Sequence, residues 1–133
     1  MKGRVLTTAF AVIALIGTAL PLAAHHSFSA EFDANKKVNL TGVITNVKWQ
    51  NPHVYFYIDV KDEKTGKVTN YACEMGSPNA ISSNGLVRSF LQVGMVASLS
   101  GSMAKDGSNK LNAGNVTING KPYNAASSEG VTP

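Results

Sequence analysis

The sequence predicts an all-β domain with one short helix, folded as a small five-stranded barrel. Three strand-like segments are followed by a short helical segment and then by two further strands, and the first strand carries Gly42 in its middle. A glycine there lets one long strand bend and pair on two sides of a barrel. A small open sandwich is the alternative that the same order of elements allows.

The first three strands are predicted from β-branched and aromatic residues that alternate with polar ones. They cover residues 38–47, 54–60 and 68–75, and the polar segment 62–67 forms the hairpin loop between the second and third. The second strand places its apolar side chains on one face. Its other face carries His53, Tyr55, Tyr57 and Asp59.

The helix and the last two strands follow. Ser-Pro at 77–78 predicts the start of a short helix, because serine caps free backbone amides and proline suits the first helical position. Asn-Gly at 84–85 predicts its end. Residues 93–101 and 110–118 are the fourth and fifth strands, joined by a turn at 105–108. Three strands, a helix and two strands is the order of an OB-type barrel.

Residues 1–24 have the pattern of a cleaved export signal. A basic start at Lys2 and Arg4 precedes an apolar run that ends in small residues at Ala24. The run is shorter than the roughly 20 apolar residues that span a membrane. We therefore expect a mature chain that begins at His25, is periplasmic or secreted, and has no membrane span.

The mature chain is expected to be one small domain. Residues 25–37 form an N-terminal arm, residues 38–121 the barrel, and residues 122–133, which are small and polar, a flexible tail. Loss of Lys2 and Arg4 lowers the formal net charge from +4 to +2. The remaining lysines are scattered and form no dense basic stripe, so no nucleic-acid partner is predicted.

Cys73 is the single cysteine, so the domain has no internal disulfide. A lone cysteine on a strand is usually a small buried apolar side chain. The alternative is that Cys73 acts as a soft ligand for copper.

The candidate metal ligands are His25, His26 and His53. A mature N-terminal His25 offers its α-amine and its imidazole, two nitrogen donors that form a chelate without closing a loop. Such donors favour copper among the first-row ions. His53 would complete the set, and His26 is a further candidate because a second-position histidine also chelates copper. The alternative interpretation is that His25 and His26 belong to a solvated arm and that His53 caps its strand by bonding to the local backbone.

Trp49, Tyr55 and Tyr57 are the candidate ligand-binding residues of a metal-free module. They would stack on a saccharide, a peptide or a protein partner, unless they pack between strands. No G-x-S-x-G motif or telling pair of carboxylates is present, so no catalytic residue is predicted. The sequence favours a binding protein whose partner is a metal ion or a periplasmic protein.

Several segments of the chain together resemble a family of exported bacterial proteins of unknown function. The most specific are His-His-Ser at 25–27 and Asn-Pro-His at 51–53. The others are Glu31-Phe32-Asp33, Leu40-Thr41-Gly42, Pro78-Asn79 and Lys105-Asp106-Gly107-Ser108. The resemblance implies a small periplasmic β domain whose signal is removed. It implies no activity.

Overall fold

The structure, a computed structural model, describes residues 28–129. This part of the chain has six strands, two short α-helices and one 3₁₀ turn. In chain order they are α1 (Phe28–Glu31), β1 (Phe32–Lys48), β2 (Tyr55–Lys61), β3 (Val68–Glu74), α2 (Pro78–Ser83), the 3₁₀ turn (Arg88–Phe90), β4 (Val96–Ala104), β5 (Lys110–Ile118) and β6 (Lys121–Asn124). Neither α-helix within residues 28–129 is long and apolar enough to cross a membrane.

The strands form a barrel in which β1 is shared between two neighbours. From Phe32 to Val43 it pairs antiparallel with β4, and from Val43 to Lys48 it pairs antiparallel with β2. Gly42 lies at the crossing point, where an added Cβ would be 2.4 Å from the carbonyl oxygen of Asp59. Any larger residue would collide with the β2 backbone, which explains the glycine in the middle of the strand.

The barrel closes through β3 and β5. These strands pair in parallel over three residue pairs, while β2 with β3 and β4 with β5 pair antiparallel. The predicted five-stranded barrel is therefore confirmed, with a short seam at β3 and β5. The sequence prediction missed β6, which pairs with the outer edge of β5. Its Lys-Pro-Tyr-Asn sequence contains two residue types that are depleted in strands.

The alternation predicted for the second strand is confirmed. Val54, Phe56 and Ile58 are fully buried, whereas Tyr55 and Tyr57 are half-buried on the opposite face. Other elements supply further buried side chains to the same core, among them Ile44, Met75, Ile81, Leu86, Leu111 and Val116. Removal of this apolar surface from water is the main force that holds the domain together.

Cys73 belongs to this core. It is fully buried, it pairs with Phe56 across the β2–β3 ladder, and burial raises the pKa of its thiol to about 12. A neutral buried thiol packs as a small apolar side chain. Because Cys73 faces the core, it points away from the face that carries His53 and Tyr55.

The predicted turns around the helix and in the first hairpin are confirmed. The Ala80 amide donates to the Ser77 hydroxyl at 3.3 Å, and Asn84 is the C-cap of α2. In the hairpin between β2 and β3, Gly66 has a φ of 71°. Left-handed backbone of this kind favours glycine, as the sequence indicated.

Two strands begin several residues away from their predicted first residues. β1 begins at Phe32 because this side chain is buried and Phe32 pairs with Ala104, and the pairing is irregular between Phe32 and Lys37. β4 begins at Val96 because Gly94, with a φ of 91°, still belongs to the preceding turn.

Residues 125–129, which the sequence assigns to the flexible tail, lie against the barrel. Ala125 is buried, the Ser127 hydroxyl donates to Asn112 at 2.5 Å, and the Glu129 carboxylate contacts Lys37. The rest of the predicted tail, residues 130–133, lies outside the described residues.

Candidate functional site

A buried carboxylate, Glu74, stands at the end of β3. Its exposed fraction is only 3%, although it is directly paired with the half-buried Tyr55 on the outer face of the barrel. Burial of a charged group is costly unless other groups bind it. The contacts of Glu74 are therefore the natural starting point for a site.

Three side chains bind the Glu74 carboxylate. The Tyr55 hydroxyl donates to Oε2 at 2.5 Å, and the Lys110 ammonium lies 3.0 Å from the same oxygen. Nδ1 of His53 lies 3.0 Å from Oε1. Three strands and one loop supply this geometry. His53 lies in the loop just before β2, Tyr55 begins β2, Glu74 ends β3 and Lys110 begins β5.

His53 is oriented by this contact. A carboxylate oxygen accepts hydrogen bonds, so this contact favours a hydrogen on Nδ1 and leaves Nε2 as the second ring nitrogen. The side chain is 34% exposed, and no residue in the described part of the chain hydrogen-bonds Nε2. His53 therefore has one nitrogen fixed on a buried acid and the other available to a ligand.

The arm packs beside this cluster. The Glu31 carboxylate of α1 contacts the Lys110 ammonium, and the Lys105 amide donates to the Glu31 carbonyl oxygen at 2.9 Å. The Lys105 ammonium also donates to the carbonyl oxygen of Ser29 at 2.5 Å. The five residues Glu31, His53, Tyr55, Glu74 and Lys110 form one connected set, the Glu74 cluster.

The charges of the cluster keep its polar hydrogens in place. Burial, together with the hydrogen bond to Glu74, raises the pKa of Tyr55 to about 12, so the hydroxyl remains a donor. Burial alone would lower the pKa of Lys110, but its hydrogen bonds to Glu31 and Glu74 outweigh burial and raise that pKa. The carboxylates of Glu31 and Glu74 both contact the Lys110 ammonium.

A cleft of about 740 Å³ opens next to the cluster. It is lined by Ala30, Glu31, Tyr55, Lys105, Asp106 and Lys110. The cleft gives solvent and ligands access to the side of the cluster that the arm borders. Within residues 28–129, no group of three or more histidine, cysteine, aspartate or glutamate side chains is arranged to hold a metal ion.

A family model described as a family of unknown function, DUF6152, matches residues 12–124. The chain belongs to this family. The expectation of a family without a known activity is thereby confirmed, while export and the role of the histidine motifs stay predictions. No curated protein matches this DUF6152 chain.

One solved structure supports the fold. The chain is similar to the mitochondrial single-stranded DNA-binding protein Rim1 of S. cerevisiae, with 12% identity and a TM-score of 0.50 over 66% of this chain and 94% of that one. At this identity the similarity concerns the fold alone, and it agrees with an OB-like barrel for the DUF6152 chain.

The structure brings together some of the predicted site residues. His53 and Tyr55 both bind Glu74, and Tyr57 lies two residues further along the same face with the Lys48 ammonium 5.4 Å from its ring centre. Trp49 packs against the hydrophobic core. His25 and His26 lie outside the described residues.

Sequence reasoning gave Glu31 and Lys110 no role at the site, and it named Glu74 only as one of four candidate axial ligands, with Asp59, Tyr55 and Met75. An acid between Cys73 and Met75, both apolar, was the available signal for Glu74. Lys110 gave no local signal, because the β3–β5 pairing that brings it to Glu74 joins distant parts of the DUF6152 chain.

Proposed function

We propose that the exported chain, cut after Ala24, binds a copper ion. The ligands are the α-amine and imidazole of His25 together with Nε2 of His53, and His26 is an additional donor. The protein then carries or sequesters copper in the periplasm. It acts as a binding protein, with no reaction assigned to it.

The orientation of His53 by Glu74 carries this proposal. Histidines that bind metals typically donate their second ring N–H to a carboxylate, which fixes the ring and makes the free nitrogen a better donor. The 3.0 Å contact between Nδ1 and the buried Glu74 Oε1 has this form. An exposed histidine that merely ended a strand would need no buried acid behind it.

The position of the arm supports a joint site. Two residues, His26 and Ser27, separate His25 from Phe28, the first described residue, and the three backbone steps from His25 to Phe28 span at most about 10 Å. The arm continues to Glu31, which contacts Lys110, and Lys110 in turn contacts the carboxylate that binds His53. We propose that the N-terminus reaches His53 from this side of the barrel.

Donor type favours copper. Amine and imidazole nitrogens bind Cu²⁺ more tightly than the other divalent first-row ions, in the usual order of affinities.

Copper titration of the chain expressed with its own leader tests the proposal. Intact mass is expected to show loss of residues 1–24, and the recovered protein is expected to bind one copper ion. Selective acetylation of the α-amine of His25 blocks the chelate, and His53→Ala removes a ligand. Each change is expected to weaken binding by more than about 100-fold, because loss of an outer-shell partner alone costs about 10–100-fold.

Tyr57→Ala is the control for His53→Ala, since it shortens an aromatic side chain on the same face of β2. It should leave the copper affinity unchanged. Equal affinity of the acetylated and the unmodified mature protein would show that the N-terminal amine is not a ligand.

A metal-free module is the second candidate. OB barrels commonly bind ligands on the face of strands 2 and 3, and Tyr57, with the Lys48 ammonium over its ring, lies on that face. This candidate predicts that Tyr57→Ala abolishes the binding of a saccharide or peptide and that copper has no effect on it. Binding that survives in Tyr57→Ala would argue against this surface.

A further inference from the structure

Exposed apolar side chains are concentrated on one side of the barrel. Six large apolar side chains within residues 28–129 are exposed. Five of these six lie between residues 87 and 96 or pair with that segment, namely Val43, Val87, Phe90, Val93 and Val96. The sixth, Val68, begins β3. Single exposed apolar residues are normal on a protein surface, whereas a group of them is typical of an interaction site.

A groove of about 670 Å³ lies within this surface. Asn46 and Val47 line it from β1, and Val87, Arg88 and Val93 are among the residues that line it from the segment before β4. Its volume is in the range of about 300–1,000 Å³ that is typical of ligand pockets, so a short stretch of polypeptide fits. We call this feature the β1 groove.

One edge of β1 is open along the β1 groove. The pairing of β1 with β4 ends at Val43, and the last backbone bonds on that side are those of Ile44, at 2.8 Å. β1 continues to Lys48 and pairs there with β2 alone. In the described part of the chain, no backbone hydrogen bond joins residues 46–48 to residues 87–93. An open edge of this kind is a template for a further strand.

The charges around the β1 groove favour an acidic occupant. Arg88 lines the groove, and no carboxylate does. The sequence has no aspartate or glutamate in residues 75–105. Asp59, which pairs with Val43, already accepts a hydrogen bond from Asn70 at 2.7 Å. A second copy of this chain, bound through the same face, would bring two Arg88 side chains into one interface without a carboxylate to pair them, so like charges disfavour it.

We propose that the β1 groove binds an extended peptide segment of a partner protein that carries acidic and aliphatic residues. The segment adds as a strand along residues 46–48, its alternate side chains contact Val87 and Val93, and an acid pairs with Arg88. A lipid surface would meet the projecting side chains but would leave the strand edge and the groove unused. The site is independent of the copper proposal, because it shares no residue with the Glu74 cluster.

Fluorescence polarisation with a labelled peptide tests the proposal on the full chain. The probe has the sequence Glu-Val-Thr-Val-Thr-Glu, labelled at its amino end and amidated at its carboxyl end. One comparison peptide has lysine in place of both glutamates, and another has N-methylated valine and threonine amides. The chain is expected to bind each comparison peptide at least about 10-fold more weakly than the probe, since one loses the charge pairing and the other the strand hydrogen bonds. No binding of the probe, or equal binding of the N-methylated peptide, would overturn the proposal.

Two variants test the groove itself. Val93→Ser and Arg88→Gln change exposed side chains, so both variants should fold. Val93→Ser is expected to weaken probe binding by about 10-fold, because an aliphatic contact is lost. Arg88→Gln should weaken binding and reduce its dependence on salt. Val68→Ser is the matched control, since Val68 is 54% exposed and Val93 is 66% exposed, and it should bind as the wild type does. Wild-type affinity in Val93→Ser or in Arg88→Gln would contradict the assignment.

Amide hydrogen exchange locates the added strand. The probe should slow the exchange of amides within residues 46–48 and leave the amides of β6, which pairs with β5 alone, unchanged. Equal exchange at residues 46–48 with and without the probe would overturn strand addition. If the probe does not bind, but Val93→Ser abolishes either binding to phosphatidylglycerol vesicles or dimerisation, the occupant is a membrane or a second copy and the proposal is wrong. None of these results bears on copper binding.

Discussion

The two faces of β2 bury different kinds of side chain. On the inner face, Phe56 and Ile58 are fully buried among apolar neighbours and need no specific partner. On the outer face, His53 and Tyr55 converge on Glu74, a carboxylate that is almost as well buried. Burial on the inner face stabilises the fold directly, whereas burial on the outer face is tolerated only because each polar atom has a partner. In β2, the residues that stabilise the fold therefore lie on one face, and the residues that can bind a ligand lie on the other.

The largest effect is expected on the inner face. Phe56→Ala removes a fully buried ring and leaves a cavity, which should lower the free energy of unfolding by about 3–5 kcal/mol. Urea unfolding followed by tryptophan fluorescence measures it. The folded fraction should still bind copper as the wild type does. If the folded variant bound copper more weakly than the wild type in the absence of urea, the two faces would not be independent of each other.

Glu74→Gln tests the outer face. The amide keeps the shape but loses the charge that binds Lys110 and His53, so the free energy of unfolding should fall by about 1–3 kcal/mol. Copper affinity should fall by about 10–100-fold, because His53 loses its orienting acid. Glu63→Gln, in the exposed loop between β2 and β3, is the control. If Glu63→Gln lost as much copper affinity as Glu74→Gln, the loss would reflect the net charge of the protein and not the orientation of His53.

The smallest effect concerns Tyr55 and appears only at alkaline pH. Its pKa is raised from the ordinary value of 10.0 to about 12 in the folded protein, so the stability that it contributes is fully present below pH 10 and is lost as the pH rises towards 12. Absorbance titration should show one tyrosine that ionises late in the wild type and is missing in Tyr55→Phe. A titration with no late tyrosine would mean that the hydrogen bond to Glu74 is absent in solution.

Local sequence patterns predicted the inner face well. Alternation placed Val54, Phe56 and Ile58 in the core, and Gly42 marked the strand that serves two sides of the barrel. The capped start of α2 was equally local. Each of these depends on neighbouring residues and on backbone preferences, which one sequence displays.

The outer cluster was only partly predictable. His53 and Tyr55 were named from the face that they share, but Lys110 reaches Glu74 through a parallel pairing between distant strands. Glu31 contacts Lys110 because the first strand already begins at Phe32, which places the preceding residue beside the barrel. Long-range pairings of this kind leave no periodic signal in the residues that take part. The sequence therefore indicated which strand face to inspect without naming its central charge pair.

Electron paramagnetic resonance of the copper(II)-loaded mature protein tests the central claim most directly. We expect nitrogen hyperfine structure from the His25 amine, the His25 imidazole and the His53 imidazole, and His53→Ala should lose one imidazole nitrogen while Tyr57→Ala keeps the wild-type pattern. A spectrum that is the same in the wild type and in His53→Ala would contradict the claim that Glu74 holds His53 as a copper ligand.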